Sequence, residues 1–419
     1  MGGAHRSYTQ RSVLKNTLPA IFCYSNSQEY NMSKANNGRN SSIPRGYHPE
    51  DTKARKEWVK KYANIDLDDN LRDESVDLKG IIENHVGFLN LPMAVVGPLL
   101  LDGKYAQGEF CVPICTVEGT LAMSMNRGMY ATRTSGGIRV RHVRQEISRA
   151  PFFSFPDIDK ATKFNNWIDD HLDDIRGVAE STTNHGKLLR IEIYNISKYV
   201  VLDFIFSTAN AAGQNMVTIA TKAACEYIKN ETSFHYLLDS NFASDKKASA
   251  KTILKGRGHY VVAETVLTSQ VLKRILNTEA KDFRAMQEFG PYASSFAGNQ
   301  GIQLHISNAL AAIYLATGQD VACVAENALG YTQIKGFNDG TDLHVSLTTP
   351  SLTVGTVGGG TRLKQQHKNL EMLGCTNEEN SSKKFAEIIC ASSLCLEISL
   401  LAAIISGDWE SAHAKYGRR

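Results

Sequence analysis

Near the C-terminus, the residues from Ala386 to Ser406 form the most apolar run in the chain. A helix that is apolar on every side must lie inside a protein core or a bilayer. Glu387, Glu397 and several serines interrupt this one, which favours a buried core helix over a membrane span. The helix is expected from about Ser382 to Ser406, with Gly407 as its C-terminal cap. Burying it takes several other elements, and 419 residues are enough to supply them in two or three domains.

Composition narrows the class. Apolar residues at 42% and charged residues at 21% are ordinary for a soluble globular protein, and a net charge of +3 argues against a nucleic-acid binder. The eight cysteines, at 23, 111, 115, 225, 323, 375, 390 and 395, include no C-x-x-C pair and no zinc spacing. Most lie in apolar segments, which reads as reduced thiols in a cytoplasmic compartment. No metal site is expected.

Residues 1–45 are rich in Ser, Asn, Gly and Arg and read as a disordered leader. The short apolar patch Leu18–Cys23 leaves a weak presequence open. A helical N-terminal region at 46–82 is expected, with one helix over Asp51–Tyr62 and a second acidic segment reaching Ile82. Asp102-Gly103 predicts a hairpin turn within Leu99–Thr116. Glu118 then sits at a strand-to-helix junction, either as a site residue or as a carboxylate favoured by the helix dipole. Between 151 and 237 the order is one strand, a helix over Asp157–Ala179, a hairpin of Leu188–Ile193 and Tyr199–Phe206, a helix over Met216–Ile228, and a strand within Ser233–Leu238. That βαββαβ order predicts a ferredoxin-like unit inserted into a larger domain made of 83–150 and 238–419. The fold class is therefore α+β.

Beyond the insertion, Ser244-Asp245-Lys246-Lys247-Ala248 places a carboxylate before two ammonium groups among small residues. It is either a solvated charge cluster or a loop that aims one lysine at an anion, with Asp245 holding the other. Lys251–Thr268 reads as β-rich, Ser269–Asn277 as helical, and Tyr292–Gln303 as a connection. The next helix would carry His305 and Asn308 on one face and end at Gly318. Asp320 opens the following helix as an N-cap or a site residue, and His305 is a site residue or a satisfied core histidine. Leu343–Leu347 reads as a strand. Four glycines in Gly355–Thr361 suit either a bound ligand or a tight turn against a neighbouring helix. His413 lies in a polar tail.

Taken in order, the segments ENHVGFLNLPMAVVGPL, CTVEGTLAMSMNRG, SDKKASAKTILKGRG, LAAIYLATGQD, PSLTVGTVGGGT and SAHAKYGRR resemble the 3-hydroxy-3-methylglutaryl-coenzyme A reductase family, in its eukaryotic and archaeal class. The resemblance implies reduction of hydroxymethylglutaryl-CoA to mevalonate and free coenzyme A by two NADPH. It assigns Glu118 as proton donor, Lys246 as the cation at the reacting oxygen, Asp320 as the group between them, and His413 as the acid for the departing thiolate. Arg149, Asp245, Lys247, His305 and Asn308 would line the acyl pocket, and Ser124, Asn126 and Arg127 would contact coenzyme A. The inserted unit would bind the nicotinamide cofactor through Thr183, Asn184, Asn210, Gly213, Gln214, Asn215 and Met216. Glu83-Asn84-His85-Val86-Gly87 matches the segment at which family members meet, so a homodimer or higher homo-oligomer with shared active sites is implied. Neither a membrane nor a nucleic-acid partner is implied.

The chain departs from the family pattern at two places. The dinucleotide motif has Asn210 where an acid is usual, and Thr183-Asn184 stands where a Ser-Arg pair often meets the 2′-phosphate. Lys187 or His185 is left to take that phosphate, with NADH as the alternative cofactor. A soluble form is expected, without the membrane anchor or the tail phosphorylation serine of some eukaryotic members. The competing readings are a catalytically silent acyl-CoA-binding homologue and a reductase of a related acyl-CoA.

Overall fold

The computed structural model describes Pro44 and residues 48–63, 78–376 and 378–407. The fold is built on the expected C-terminal helix, which is the last of twelve α-helices among the described residues and spans Ser381–Ser406 (α12). Every residue from Phe385 to Ser399 is buried, and Gly407 caps the end. α12 is long and apolar enough to cross a membrane, yet 78% of its most apolar stretch is buried inside the protein.

Its two acids explain how a charged residue survives in that core. The Glu387 carboxylate accepts the backbone N–H groups of Tyr105, Ala106 and His142 at 2.8–3.0 Å. Glu397 accepts those of Leu304 and His305, both at 2.8 Å. A buried carboxylate is tolerated when such donors replace water. Each acid in turn fixes a loop.

An N-terminal helix (α1, Pro49–Ala63) precedes a hairpin of β1 (Met93–Gly103) and β2 (Gln107–Cys115). Asp102 pairs with Gln107 inside the hairpin, so 104–106 makes the turn rather than Asp102-Gly103 itself. α2 (Leu121–Thr134) crosses α12 at Gly128, where a Cβ would stand 2.0 Å from the Cys395 carbonyl oxygen. β3 (Ile138–Arg149) runs parallel to the end of β1 and antiparallel to β8 (Gly258–Leu267). β10 (Asp342–Leu352) follows, then β9 (Tyr331–Phe337), both antiparallel. The sheet order β2-β1-β3-β8-β10-β9 packs α12 on one face.

The last residues of β3, Ile147–Arg149, leave this sheet and pair with β6 (Tyr199–Ser207) in a second unit. That unit holds β4 (Phe152–Ser154), α3 (Ile158–Asp170), α4 (Leu172–Glu180), β5 (Lys187–Ile196), β6, α5 (Gln214–Thr232) and β7 (Tyr236–Leu237). Its strands are antiparallel in the order β7-β4-β6-β5, over a separate aromatic core that includes Phe153, Phe155 and Phe164.

Four expectations need correction. The helix expected over Asp157–Ala179 is two helices, broken where His171 turns back to bond the Trp167 carbonyl at 2.8 Å. Lys251–Thr268 does not begin as a strand: α6 (Ala250–Lys255) comes first, because the Ser249 hydroxyl accepts Thr252 N–H as an N-cap. Tyr292–Gln303 is a loop only after Phe296, since α8 (Ala280–Phe296) runs through Pro291 from a capping box at Glu279 and Asp282. The strand within Ser233–Leu238 is reduced to two residues. The second acidic helix falls mostly outside the described residues, and Leu78–Ile81 forms a turn. α7 (Ser269–Arg274), α9 (Ile306–Thr317), α10 (Val324–Asn327) and α11 (Lys364–Met372) complete the helices. Of the seven described cysteines, five are buried and none is paired.

Candidate active site

α9 separates two groups of polar side chains. It is 12 residues long, about 18 Å, and its ends hold different chemistry.

At the N-terminal end is a carboxyl group. The loop between β2 and α2 carries Glu118, whose Oε1 accepts the Asn308 amide at 3.1 Å. His305 is not on the helix face expected for it. It stands at the N-cap position of α9, and Glu397 holds it by both its backbone N–H and Nδ1, the latter at 3.2 Å. Neighbouring α2 is tied to the scaffold through the same residues that were expected to face coenzyme A. The Asn126 Oδ1 accepts Gly97 N–H at 2.9 Å, and Ser124 and Arg127 both bond Ser399 of α12.

At the C-terminal end is a cation. Lys246 Nζ lies 2.8 Å from Asp320 Oδ2, and both side chains remain open to solvent. Asp320 also caps a short 3-10 turn, Val321–Cys323, by accepting Ala322 N–H at 3.1 Å. The N-cap expected of that residue is present, and its second carboxylate oxygen is the one that meets Lys246. The Asp320 hydrogen bond is the main reason the Lys246 pKa stands above the ordinary lysine value.

Asp245 does not hold the second lysine with its carboxylate. Arg257 at 3.2 Å and Arg149 at 3.6 Å face that carboxylate, while Lys247 Nζ donates to the Asp245 carbonyl at 2.8 Å. Arg149 also reaches Asp239 at 3.3 Å. Sequence reasoning missed two residues of this end, Arg257 as a site residue and Glu326 altogether; both are fully buried and paired at 2.7 Å. Glu326 is embedded in an ordinary helical stretch, VAEN, with no pattern to mark it.

The second unit meets the cationic end. The loop before α5 carries Asn210 and Gly213, and Gly213 adopts φ 84° just ahead of Gln214, Asn215 and Met216. Gln214 Nε2 donates to Cys323 Sγ at 3.0 Å, three residues from Asp320. Asn210 uses both ends of its amide, donating to the Glu378 carbonyl at 2.8 Å and accepting Ser382 N–H at 3.1 Å. An aspartate would set an oxygen against that carbonyl, which gives a physical reason for asparagine here. Thr183 supports the adjoining turn: its hydroxyl accepts the N–H groups of His185 and Gly186 and donates to Met216 Sδ at 3.0 Å. Asn184 is exposed in that turn, and Lys187 pairs with Glu180 at 2.8 Å.

The tight packing expected of the glycine-rich loop is present at two of its glycines. A Cβ on Gly355 would meet Ala212 N at 2.3 Å and one on Gly360 would meet the Gly318 oxygen at 2.6 Å, so these two are required by packing. Gly358 and Gly359 have open space where a Cβ would stand. The loop thus lies between the α5 loop and the end of α9. His413 lies outside the described residues, and no cluster of metal-binding side chains occurs among the described ones.

Known proteins resemble this chain in sequence and in fold. A family profile described as Hydroxymethylglutaryl-coenzyme A reductase matches residues 51–418. A 3-hydroxy-3-methylglutaryl-coenzyme A reductase of Methanocaldococcus jannaschii is 38% identical over 88% of this chain and 93% of its own length. One from Aeropyrum pernix is 40% identical over 80% of this chain and 82% of its own. Among solved structures, a class II reductase of Streptococcus pneumoniae bound to NADPH superposes with a TM-score of 0.65. It covers 84% of this chain and 97% of its own at 19% identity, a likeness of fold.

Proposed function

This chain belongs to the hydroxymethylglutaryl-coenzyme A reductase family, and on that footing we propose that it reduces hydroxymethylglutaryl-CoA to mevalonate with two NADPH. The observation that carries the reading is the 2.8 Å Lys246–Asp320 pair beside the loop that opens α5. Bound there, the cofactor supplies hydride. Each hydride leaves negative charge on the substrate oxygen, and a fixed ammonium stabilises it. Lys246 is that ammonium, and Asp320 holds it in place and in its charged form.

The second unit is the cofactor domain in this reading, and 151–237 are its bounds. Its strand order and antiparallel pairing are those of a ferredoxin-like fold, which supports that name. The α5 N-terminus suits a pyrophosphate, since its first N–H groups have no partner within the helix and its dipole favours an anion. Gln214, Asn215 and Met216 present those groups, Thr183 and Asn184 shape the adjoining turn, and Asn210 locks the loop onto α12. With Lys187 tied to Glu180, exposed His185 is the side chain left for a 2′-phosphate.

Glu118 and Lys246 act on one carbonyl yet stand at opposite ends of α9, so the active site is shared between subunits. Glu118, His305 and Asn308 of one subunit face Lys246, Asp320, Arg149, Asp245 and Lys247 of the next. Ser124, Asn126 and Arg127 line the coenzyme A side, and His413 protonates the thiolate as it leaves.

The direct test incubates purified protein with hydroxymethylglutaryl-CoA and NADPH. Two NADPH oxidised per mevalonate formed is the expected result. A folded protein that oxidises neither NADPH nor NADH with this thioester would overturn the reading.

A further inference from the structure

We propose that Glu326 is the positioning residue of the lysine loop, and that it sets the Lys246 ammonium through the backbone rather than through the side chain. This rests on the role given to Lys246 above. Ser244 and Lys246 both have φ near 56°, a region that costs energy for any residue with a side chain. A loop with two such residues around Asp245 keeps its shape only if something outside it holds it.

Glu326 is placed to do so. Its Oε2 accepts the Lys246 N–H at 2.6 Å, and its Oε1 accepts Arg257 Nη1 at 2.7 Å and the Thr353 hydroxyl at 2.6 Å. The carboxylate is fully buried, as is Arg257 at 1% exposure. A charged acceptor in a dry site makes a stronger bond than a neutral one. The Arg257 guanidinium also lies 3.2 Å from Asp245 Oδ1. One buried ion pair therefore grips the loop at two successive residues, Asp245 through Arg257 and Lys246 through Glu326. Asp320 touches the far end of the lysine side chain, and Glu326 its root. Without the carboxylate, Lys246 is free to return to negative φ, which carries Nζ away from Asp320.

The test is Glu326→Gln, assayed alone and in a Lys246→Ala background, together with coenzyme A affinity. Coenzyme A serves as the folding control because its proposed contacts lie on α2, at the other end of α9. Glu326→Gln alone is expected to lower kcat at least about tenfold while the Kd for coenzyme A stays within about twofold. In the Lys246→Ala background the same change should leave the residual rate unchanged, because the group it positions is already gone. A kcat within about threefold of the parent protein, or an equal further loss in the Lys246→Ala background, would overturn the proposal. Should Glu326→Gln fail to fold, Glu326→Asp keeps the charge for Arg257 and withdraws the acceptor from Lys246 by about one bond length. It is held to the same two outcomes. High activity in Lys246→Ala itself would refute the role of Lys246 and leave a separate result for Glu326.

Discussion

In the proposed reading, Lys246 and Asp320 form a pair whose value is catalytic far more than structural. Both side chains are largely open to solvent, so the pair adds little to stability. Asp320→Asn should leave the melting temperature nearly unchanged and lower kcat about a hundredfold, since the neutral amide no longer fixes the ammonium. Steady-state assays beside a thermal melt check both halves. A deeper pair behaves in the opposite way. Arg257 and Glu326 are both buried, so Arg257→Ala leaves a buried carboxylate without its cation and should cost about 3–5 kcal/mol. Urea unfolding measures that. Asp320 could be read from the sequence in two ways: one carboxylate oxygen caps a turn, as the first reading expected, and the other is left to meet Lys246 in the proposed site role. Glu326 could not be read at all. A single acid in a four-residue helix carries no periodicity, and its meaning comes from partners distant in the chain, Lys246, Arg257 and Thr353.

At the level of elements, α12 was the most legible part of the molecule because its apolar run has no amphipathic side to confuse with a surface helix. α8 was the least legible. Gly290 and Pro291 fall in its middle and look like a loop, and only its capping box and partly apolar inner face keep it helical. The crossing of α2 on α12 depends on one residue. Gly128→Val would drive side-chain atoms into the Cys395 carbonyl, and a loss of several kcal/mol is expected, again read from urea unfolding. The strands also carry a pH dependence. His142 on β3 and His259 on β8 share a 2.9 Å hydrogen bond between their rings. Burial first, and nearby cationic groups second, lower the His142 pKa to about 4 and the His259 pKa to about 3. In the unfolded chain both titrate near 6.5. Their neutral forms are therefore favoured in the folded state, and the stability they support is complete above about pH 6.5. It is lost as pH falls through the window from there to about 4, by roughly 2 kcal/mol or more. Unfolding free energies at neutral pH and near pH 4.5 should show that loss. A His142→Phe variant should show a smaller one.

The described residues form two units that share one strand, β3, whose first part lies in the larger sheet and whose last residues lie in the smaller. The order of elements in the smaller unit was visible in the sequence, because alternating strands and helices announce themselves locally. A shared site was implied by the family resemblance, but not which residues each subunit would supply. Glu118, Lys246 and Asp320 all lie in the one family pattern, which says nothing of which chain supplies which group. α9 answers that within a single chain, with Asn308 and Glu118 at one end and Asp320 and Lys246 at the other. In the proposed reading, a second subunit brings the two ends together. The most direct measurement co-expresses Glu118→Gln chains with Lys246→Ala chains and assays the mixed assembly. Each variant alone is expected to be nearly inactive. A mixed dimer carries both changes in one site and neither in the other, so random pairing should restore about a quarter of the parent activity. No recovery from mixed dimers shown to have formed would contradict a site shared between subunits.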